Sequence, residues 1–123
     1  MLRKIKVSKS ATEEEILDEC KKQASHTFAI QLVGHDSCKL IRGPTVEVVF
    51  QTSPPTDTVA VVVDISSAGG AIKIGEASNN NLGVTAVGMV GTEDADSLVI
   101  MPWESGWWYY TIGVITVRYI VKV

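Results

Sequence analysis

Apolar and polar positions alternate in short segments along most of the chain, and turn-forming residues separate one segment from the next. Short segments rich in β-branched and aromatic residues are typical of β-strands. Gly43-Pro44, Pro54-Pro55 and Gly69-Gly70 mark three of the predicted turns. The pattern predicts these strands: Leu2–Val7, Thr27–Val33, Val46–Thr52, Val59–Ile65, Ala71–Ala77, Val84–Val90, Leu98–Met101 and Trp107–Val123.

A single segment shows helical spacing instead of alternation. Ser10 and Thr12 each precede a glutamate by three residues, which gives two overlapping capping boxes. Apolar side chains then recur on one side of a predicted helix, at Ile16, Leu17, Cys20 and Ala24. We expect a helix over about residues 12–24 that packs with one face on an edge or end of the sheets.

One helix among many strands leaves no alternation of strand and helix, so a parallel doubly wound sheet is not expected. The sequence therefore predicts a mainly β fold, an antiparallel, jelly-roll-like β-sandwich with one N-terminal α-helix, as a single domain over residues 1–123. Val59–Ile65 is apolar at nearly every position and should lie centrally, covered on both faces. A partly open barrel would give the same pattern, so the strand order stays open.

Six of the eight aromatic residues lie in the last 21 positions. After Gly113, where we expect a bulge or bend, alternation places Ile115, Val117, Tyr119, Val121 and Val123 on one core-facing side of the last strand. Before Gly113, the same alternation puts Trp108 and Tyr110 opposite Trp107 and Tyr109. A half-buried strand would then leave two large aromatic side chains facing outward.

Trp103, Trp107, Trp108 and Tyr110 are therefore the candidate site residues. A subunit or partner interface is the leading hypothesis, because Trp and Tyr are favoured anchors in interfaces. A platform for sugars or other ring-bearing ligands is the second. The alternative to both functional hypotheses is a purely structural role, in which a loop or the helix covers these side chains or their polar ends lie at a wet boundary.

Composition and charge narrow the class of protein. With 46% hydrophobic and 20% charged residues in 123, the chain is not of the disordered type. Its basic cluster, Arg3, Lys4, Lys6 and Lys9, favours a charged sheet edge over a nucleic-acid contact. No apolar run is long enough to span a bilayer and no secretory signal precedes the domain, which leaves the localisation open between cytoplasm and virion.

Residues with possible chemistry are few. Cys20, His26, His35 and Cys38 are zinc-type ligands without the usual spacing, and we expect free thiols. Three carboxylates in Thr92–Asp96 favour a solvated acidic turn over a calcium site, because the loop lacks the EF-hand spacing.

Two further segments carry residue types found in hydrolases. Gly34–Ser37 contains His, Asp and Ser, but neighbours on one loop cannot align in series, so a polar turn is favoured. Ser105 is not set in a nucleophile elbow. We expect no metal, no cofactor and no catalytic residue, and a hydrolase around His35, Asp36 or Ser105 is only a third hypothesis.

The C-terminal segment Thr111–Val123, about a tenth of the chain, resembles the closing strand of the jelly-roll shell domain in coat proteins of small icosahedral plant and insect viruses. Those strands often contain a Gly, alternating apolar residues and a Tyr before the last few positions. The resemblance implies a virion-associated or other assembly role, and a loose correspondence of Asp94 and Asp96 with carboxylates that bind calcium between subunits. Such proteins usually carry a long, strongly basic arm, whereas this sequence has only Arg3, Lys4, Lys6 and Lys9 before its first predicted helix, so we do not expect genome packaging from the resemblance.

The sequence thus predicts a non-catalytic structural protein that self-associates, as a homo-oligomer, or binds a protein partner through its aromatic surface. The alternative is a β-sandwich module that binds a glycan or another small ligand.

Overall fold

A computed structural model describes residues 4–23, 38–47, 50–66, 70–75, 88–91 and 94–123. The predicted strand Thr27–Val33, together with His26, His35 and Asp36, lies outside the described residues. The elements are β1 (Ile5–Ser8), α1 (Glu13–Gln23), β2 (Cys38–Val46), β3 (Phe50–Thr52), β4 (Thr58–Ile65), β5 (Ala71–Gly75), β6 (Gly88–Val90), β7 (Ser97–Pro102), β8 (Trp108–Ile112) and β9 (Ile115–Lys122).

The strands form two antiparallel sheets. The first has the order β1-β7-β4-β9-β2, and the second has the order β3-β8-β5-β6. Apart from β1, the strands pair in a nested series: β2 with β9, β3 with β8, β4 with β7, and β5 with β6. Ladders between β4 and β9 and between β5 and β8 join these pairs into sheets. The predicted mainly β, antiparallel fold with one helix is confirmed.

The space between the two sheets is filled by apolar side chains. Ile72, Ile74 and Tyr109 of the second sheet pack against Val61 and Val63 of β4. From β9 come Ile115, Val117, Tyr119 and Val121, so the predicted alternation of the last strand is confirmed. Val123 is 80% exposed and does not belong to this core, because it follows the last paired residue, Lys122.

The helix covers the opposite face of the first sheet. Ile16, Leu17 and Cys20 of α1 are buried in one cluster with residues of the central strands, among them Val62 and Ile120. The expectation that the helix packs on an edge or end of the sheets is therefore wrong. Because β4 is apolar on both faces, its outer face also needs a cover, and α1 provides it.

The start of α1 follows one of the two predicted capping boxes. The Thr12 N–H donates to Glu15 Oε1 at 3.0 Å, and the Glu15 N–H donates to Thr12 Oγ1 at 3.2 Å. These bonds lower the pKa of Glu15. Ser10 instead pairs with Ser8, and Glu13 Oε1 accepts the N–H of Leu40 at 3.0 Å, which ties the helix to β2.

The sequence pattern missed β2, because Gly43-Pro44 reads as a turn. In the structure both residues lie inside this nine-residue strand, which is at the edge of the first sheet. The register with β9 shifts between Arg42 and Thr45, so the proline occupies an irregularity at a sheet edge, where strands tolerate it. The predicted strand Val46–Thr52 is correspondingly divided between the end of β2 and β3.

The predicted strand Trp107–Val123 is also divided. Gly113 has a φ of 82°, in the left-handed region that favours glycine, and it separates β8 of the second sheet from β9 of the first. The predicted bend at this residue is confirmed, and it moves the chain from one sheet to the other.

We predict that Gly43→Ala destabilises the fold by about 1–3 kcal/mol, because of overpacking. An added Cβ would overlap the backbone oxygen of Val117 and lie 2.9 Å from Cε2 of Tyr119. Urea unfolding measures the loss. Lys39→Ala, at an exposed position of the same strand, is the control and should change the free energy of unfolding by less than about 0.5 kcal/mol. Equal stabilities of the two variants would contradict the close packing at Gly43.

Candidate functional site

Trp103 lies just after β7, at the start of a tight turn. Its N–H donates to the oxygen of Val59 at 3.0 Å, and the N–H of Trp107 donates to the oxygen of Glu104 at 3.3 Å. Gly106, with a φ of 91°, allows the chain to reverse here. The Trp103 ring meets Trp107 and Tyr109 edge to face, at centroid distances of 5.8 and 6.1 Å. Trp103 therefore joins the turn to the core between the sheets.

The four candidate residues do not form one surface. Trp103 and Tyr110 are only 7% and 2% exposed, whereas Trp107 and Trp108 are half-buried. Trp103 and Trp107 are in contact. Trp108 and Tyr110 project to the opposite side of β8 from Tyr109, and hence to the outer face of the second sheet. The outward exposure expected for Tyr110 is wrong in this structure, because its side chain is buried on that face.

Two positions on the outer face of the second sheet expose apolar surface. Trp108 pairs across the ladder with Gly75, and Ile112, which is 40% exposed, pairs with Ala71. A glycine and an alanine leave the sides of these larger residues uncovered by their cross-strand partners. Trp108 and Ile112 are called the outer-face pair below.

A hydrogen bond between two tyrosines links the sheets through the core. The hydroxyl oxygens of Tyr109 on β8 and Tyr119 on β9 are 2.7 Å apart and buried. Burial, reinforced by this neighbour, raises the pKa of Tyr109 far above its usual value. Burial also raises the pKa of Tyr119. Both groups are therefore neutral phenols that can share one hydrogen bond.

Asp94 occupies the connection between β6 of the second sheet and β7 of the first. Its carboxylate is 3% exposed and accepts hydrogen bonds from Lys4 Nζ and Lys6 Nζ, both at 2.8 Å. The N–H of Gly91 donates to it at 3.3 Å. Burial alone would raise the pKa of Asp94, but these donors outweigh burial and lower it.

The expectation of a solvated acidic turn is therefore wrong for Asp94. Two residues of the basic cluster neutralise it, and Lys9 pairs with Asp64 while donating to the oxygen of Ile65 at 3.0 Å. β1 is indeed a sheet edge, as its charges indicated. No local pattern reveals this contact, because Lys4 and Asp94 are 90 positions apart.

An open groove of about 410 Å³ lies at one end of the first sheet, where β4 begins and β7 and β9 end. Trp103 is the only one of the four candidate residues that lines it. The remaining lining residues are Thr56, Asp57, Thr58, Val59, Glu104, Ser105 and Lys122.

The described residues include no group of three or more His, Cys, Asp or Glu side chains able to hold a metal ion. Cys20 and Cys38 are buried free thiols in the apolar cluster between α1 and the first sheet, which is called the helix-side core below. Burial, with smaller contributions from Glu19 and Cys38, raises the pKa of Cys20 to about 12. No helix in the described ranges is long and apolar enough to cross a membrane.

The chain matches no family model, no curated protein and no solved structure. The class of protein that the geometry defines is an antiparallel β-sandwich with a helix layer on one sheet, an outer-face pair on the other and a groove at one end.

We predict that Tyr109→Phe and Tyr119→Phe each lower the free energy of unfolding by about 1–2 kcal/mol, because each removes a partner from a buried hydroxyl. The double variant should lose less than the sum, because the shared bond is removed only once. Urea unfolding of the four proteins in the cycle measures this coupling. Strictly additive losses would show that the 2.7 Å bond does not contribute to stability.

We predict that Asp94→Asn lowers the free energy of unfolding at neutral pH by about 1–3 kcal/mol. Because the folded chain lowers the pKa of Asp94, its contribution is complete above the ordinary pKa of about 3.9 and is lost as the pH falls through the folded value. The difference between wild type and variant should therefore shrink in strong acid. Exposed Asp96 supplies the control, since Asp96→Asn should stay within about 0.5 kcal/mol of wild type. A difference that is constant with pH would contradict the ionic origin.

Proposed function

We propose that this chain is a non-catalytic structural domain that self-associates through the outer face of its second sheet. The observation that carries the proposal is the outer-face pair: Ile112 is 40% exposed and Trp108 is half-buried beside a glycine. Tryptophan is one of the residue types that most often anchor interfaces, and Ile112 adds apolar surface on the same side of the strand. A second copy of the chain is the proposed occupant, and another protein is the alternative occupant.

The strand order supports an assembly role. Strands β2–β9 pair first with last, second with seventh, and so on inward. This is the pairing expected of an eight-stranded chain wound as a jelly roll, and we propose that β2–β9 form one. Jelly rolls serve as shell domains of viral capsids and as lectin domains. This architecture agrees with the resemblance of the C-terminal strand to viral coat proteins, so virion association is the form of assembly that we propose.

The edges of the first sheet carry features that disfavour strand addition. β1 carries Lys6 and follows Lys4, and β2 carries Pro44 beside an irregularity in its register. Charges, proline and bulges are the features that block pairing of a sheet edge with another chain. Association through the second sheet's outer face avoids both edges of the first sheet.

We predict that Ile112→Asp raises the dissociation constant of the oligomer at least tenfold, about 1.4 kcal/mol, because it places a charge in an apolar contact. Multi-angle light scattering over a concentration series measures it. Val123→Asp introduces the same charge at an apolar residue that is 80% exposed, and it should leave assembly unchanged. Circular dichroism establishes that both variants are folded.

The light-scattering experiment also decides between the occupants. A wild-type chain that is monomeric at the highest concentrations, or an oligomer that Ile112→Asp leaves intact, would refute self-association through this face. Trp108→Ala gives a second measurement on the same surface and should act in the same direction.

A further inference from the structure

Main-chain hydrogen bonds join the segments that line the groove next to Trp103. Lys122 N–H donates to the oxygen of Asp57 at 3.0 Å, and Trp103 N–H donates to the oxygen of Val59 at 3.0 Å. The chain around the start of β4 is therefore hydrogen-bonded to the ends of β7 and β9. Because main-chain hydrogen bonds hold three segments together, the groove does not depend on the placement of long side chains alone.

A local irregularity in β4 shapes the groove. The register with β9 shifts between Thr58 and Ala60, so Val59 interrupts the pairing. Val59 and Ala60 both pack in the helix-side core, although neighbours in a regular strand point to opposite faces. Such bulges are over-represented beside functional sites, where they re-aim a side chain.

Thr58, next to this irregularity, has an unpaired hydroxyl group. Thr58 is one of the residues that line the groove and is 6% exposed, and its Oγ1 is a buried oxygen without a hydrogen-bond partner in the described structure. A buried polar group left unpaired costs about 1–3 kcal/mol. Valine would fill nearly the same volume without this cost, so packing alone does not explain the hydroxyl.

The residues that line the groove indicate which class of ligand would fit it. Asp57 and Glu104 contribute two carboxylates against the single ammonium of Lys122, which disfavours an anionic ligand. Exposed hydroxyls of Thr56 and Ser105 add donors and acceptors. Beside these polar groups, Trp103 contributes an aromatic residue to the lining. A neutral ligand that carries many hydroxyl groups and an apolar ring face fits this mixture.

We propose that the groove binds a saccharide, with Asp57 and Glu104 as hydrogen-bond acceptors and Thr58 as a buried polar contact. The site is separate from the outer-face pair and does not rest on self-association. It also differs from the aromatic platform that was the alternative hypothesis from the sequence, because only Trp103 of the four candidate aromatics lines it.

Saturation-transfer NMR and tryptophan fluorescence with glucose, galactose, mannose and N-acetylglucosamine test the proposal. We expect saturable binding of at least one sugar, and at least about tenfold weaker binding in Asp57→Asn combined with Glu104→Gln, because hydrogen bonds to charged groups are lost. Glu47→Gln is the matched control: Glu47 is exposed and follows Val46, which pairs with Ile115, about 23 Å along β9 from Lys122.

Thr58→Val separates binding from stability. The variant should be at least as stable as wild type, because it removes the unpaired hydroxyl, yet it should bind the sugar more weakly. Absence of saturable binding for every sugar, or binding that the groove variants leave unchanged, would overturn the proposal. Ile112→Asp should bind as wild type does, so the failure of one proposal is distinguishable from the failure of the other.

Discussion

The central strand of the first sheet imposes the main constraint on this fold. Val59–Val63 and Ile65 of β4 are apolar, and all of them are at least nine-tenths buried. A strand of this kind cannot leave either face in water, so the sheet needs two covers. The second sheet covers Val61 and Val63, and α1 covers Val62. The layer order of helix, sheet and sheet follows from this one strand.

Polar contacts then fix how the layers meet. Buried polar groups are costly unless they are paired, so each pair specifies one arrangement of the elements that carry it. The tyrosine pair joins β8 to β9 inside the sandwich, and Asp94 holds the connection between the sheets against β1. Glu13 bonds the helix to β2. The apolar layers supply most of the burial, and these few bonds select the register and the connections.

The local sequence pattern correctly predicted the features that depend only on residues close together in the sequence. The Thr12–Glu15 cap, the alternation of β9 and the bend at Gly113 are encoded within a few residues, and the structure has all three. The missed strand β2 shows the opposite case. Gly43-Pro44 has the local signature of a turn, but the close approach of Tyr119 requires a glycine there and the edge position tolerates the proline.

The same distinction explains what was missed at the candidate site. Alternation correctly placed Trp108 and Tyr110 on one side of β8, but their burial depends on what packs there, which alternation does not encode. Asp94 could be recognised as a buried ion pair only with knowledge of a partner 90 positions away. Thr58 carried no signal at all, since a threonine at the start of a strand is ordinary until its hydroxyl is found without a partner.

The aromatic segment therefore has two roles with different physical origins. Trp103 and Tyr109 are part of the core between the sheets, where they supply apolar area and one hydrogen bond. Trp108 lies on the outer face of the second sheet beside Gly75. The core needs large side chains at the first two positions whatever the protein binds, so they say little about function by themselves. The residues most informative about function are those that the fold does not require: an exposed isoleucine on a sheet face and an unpaired hydroxyl beside a groove.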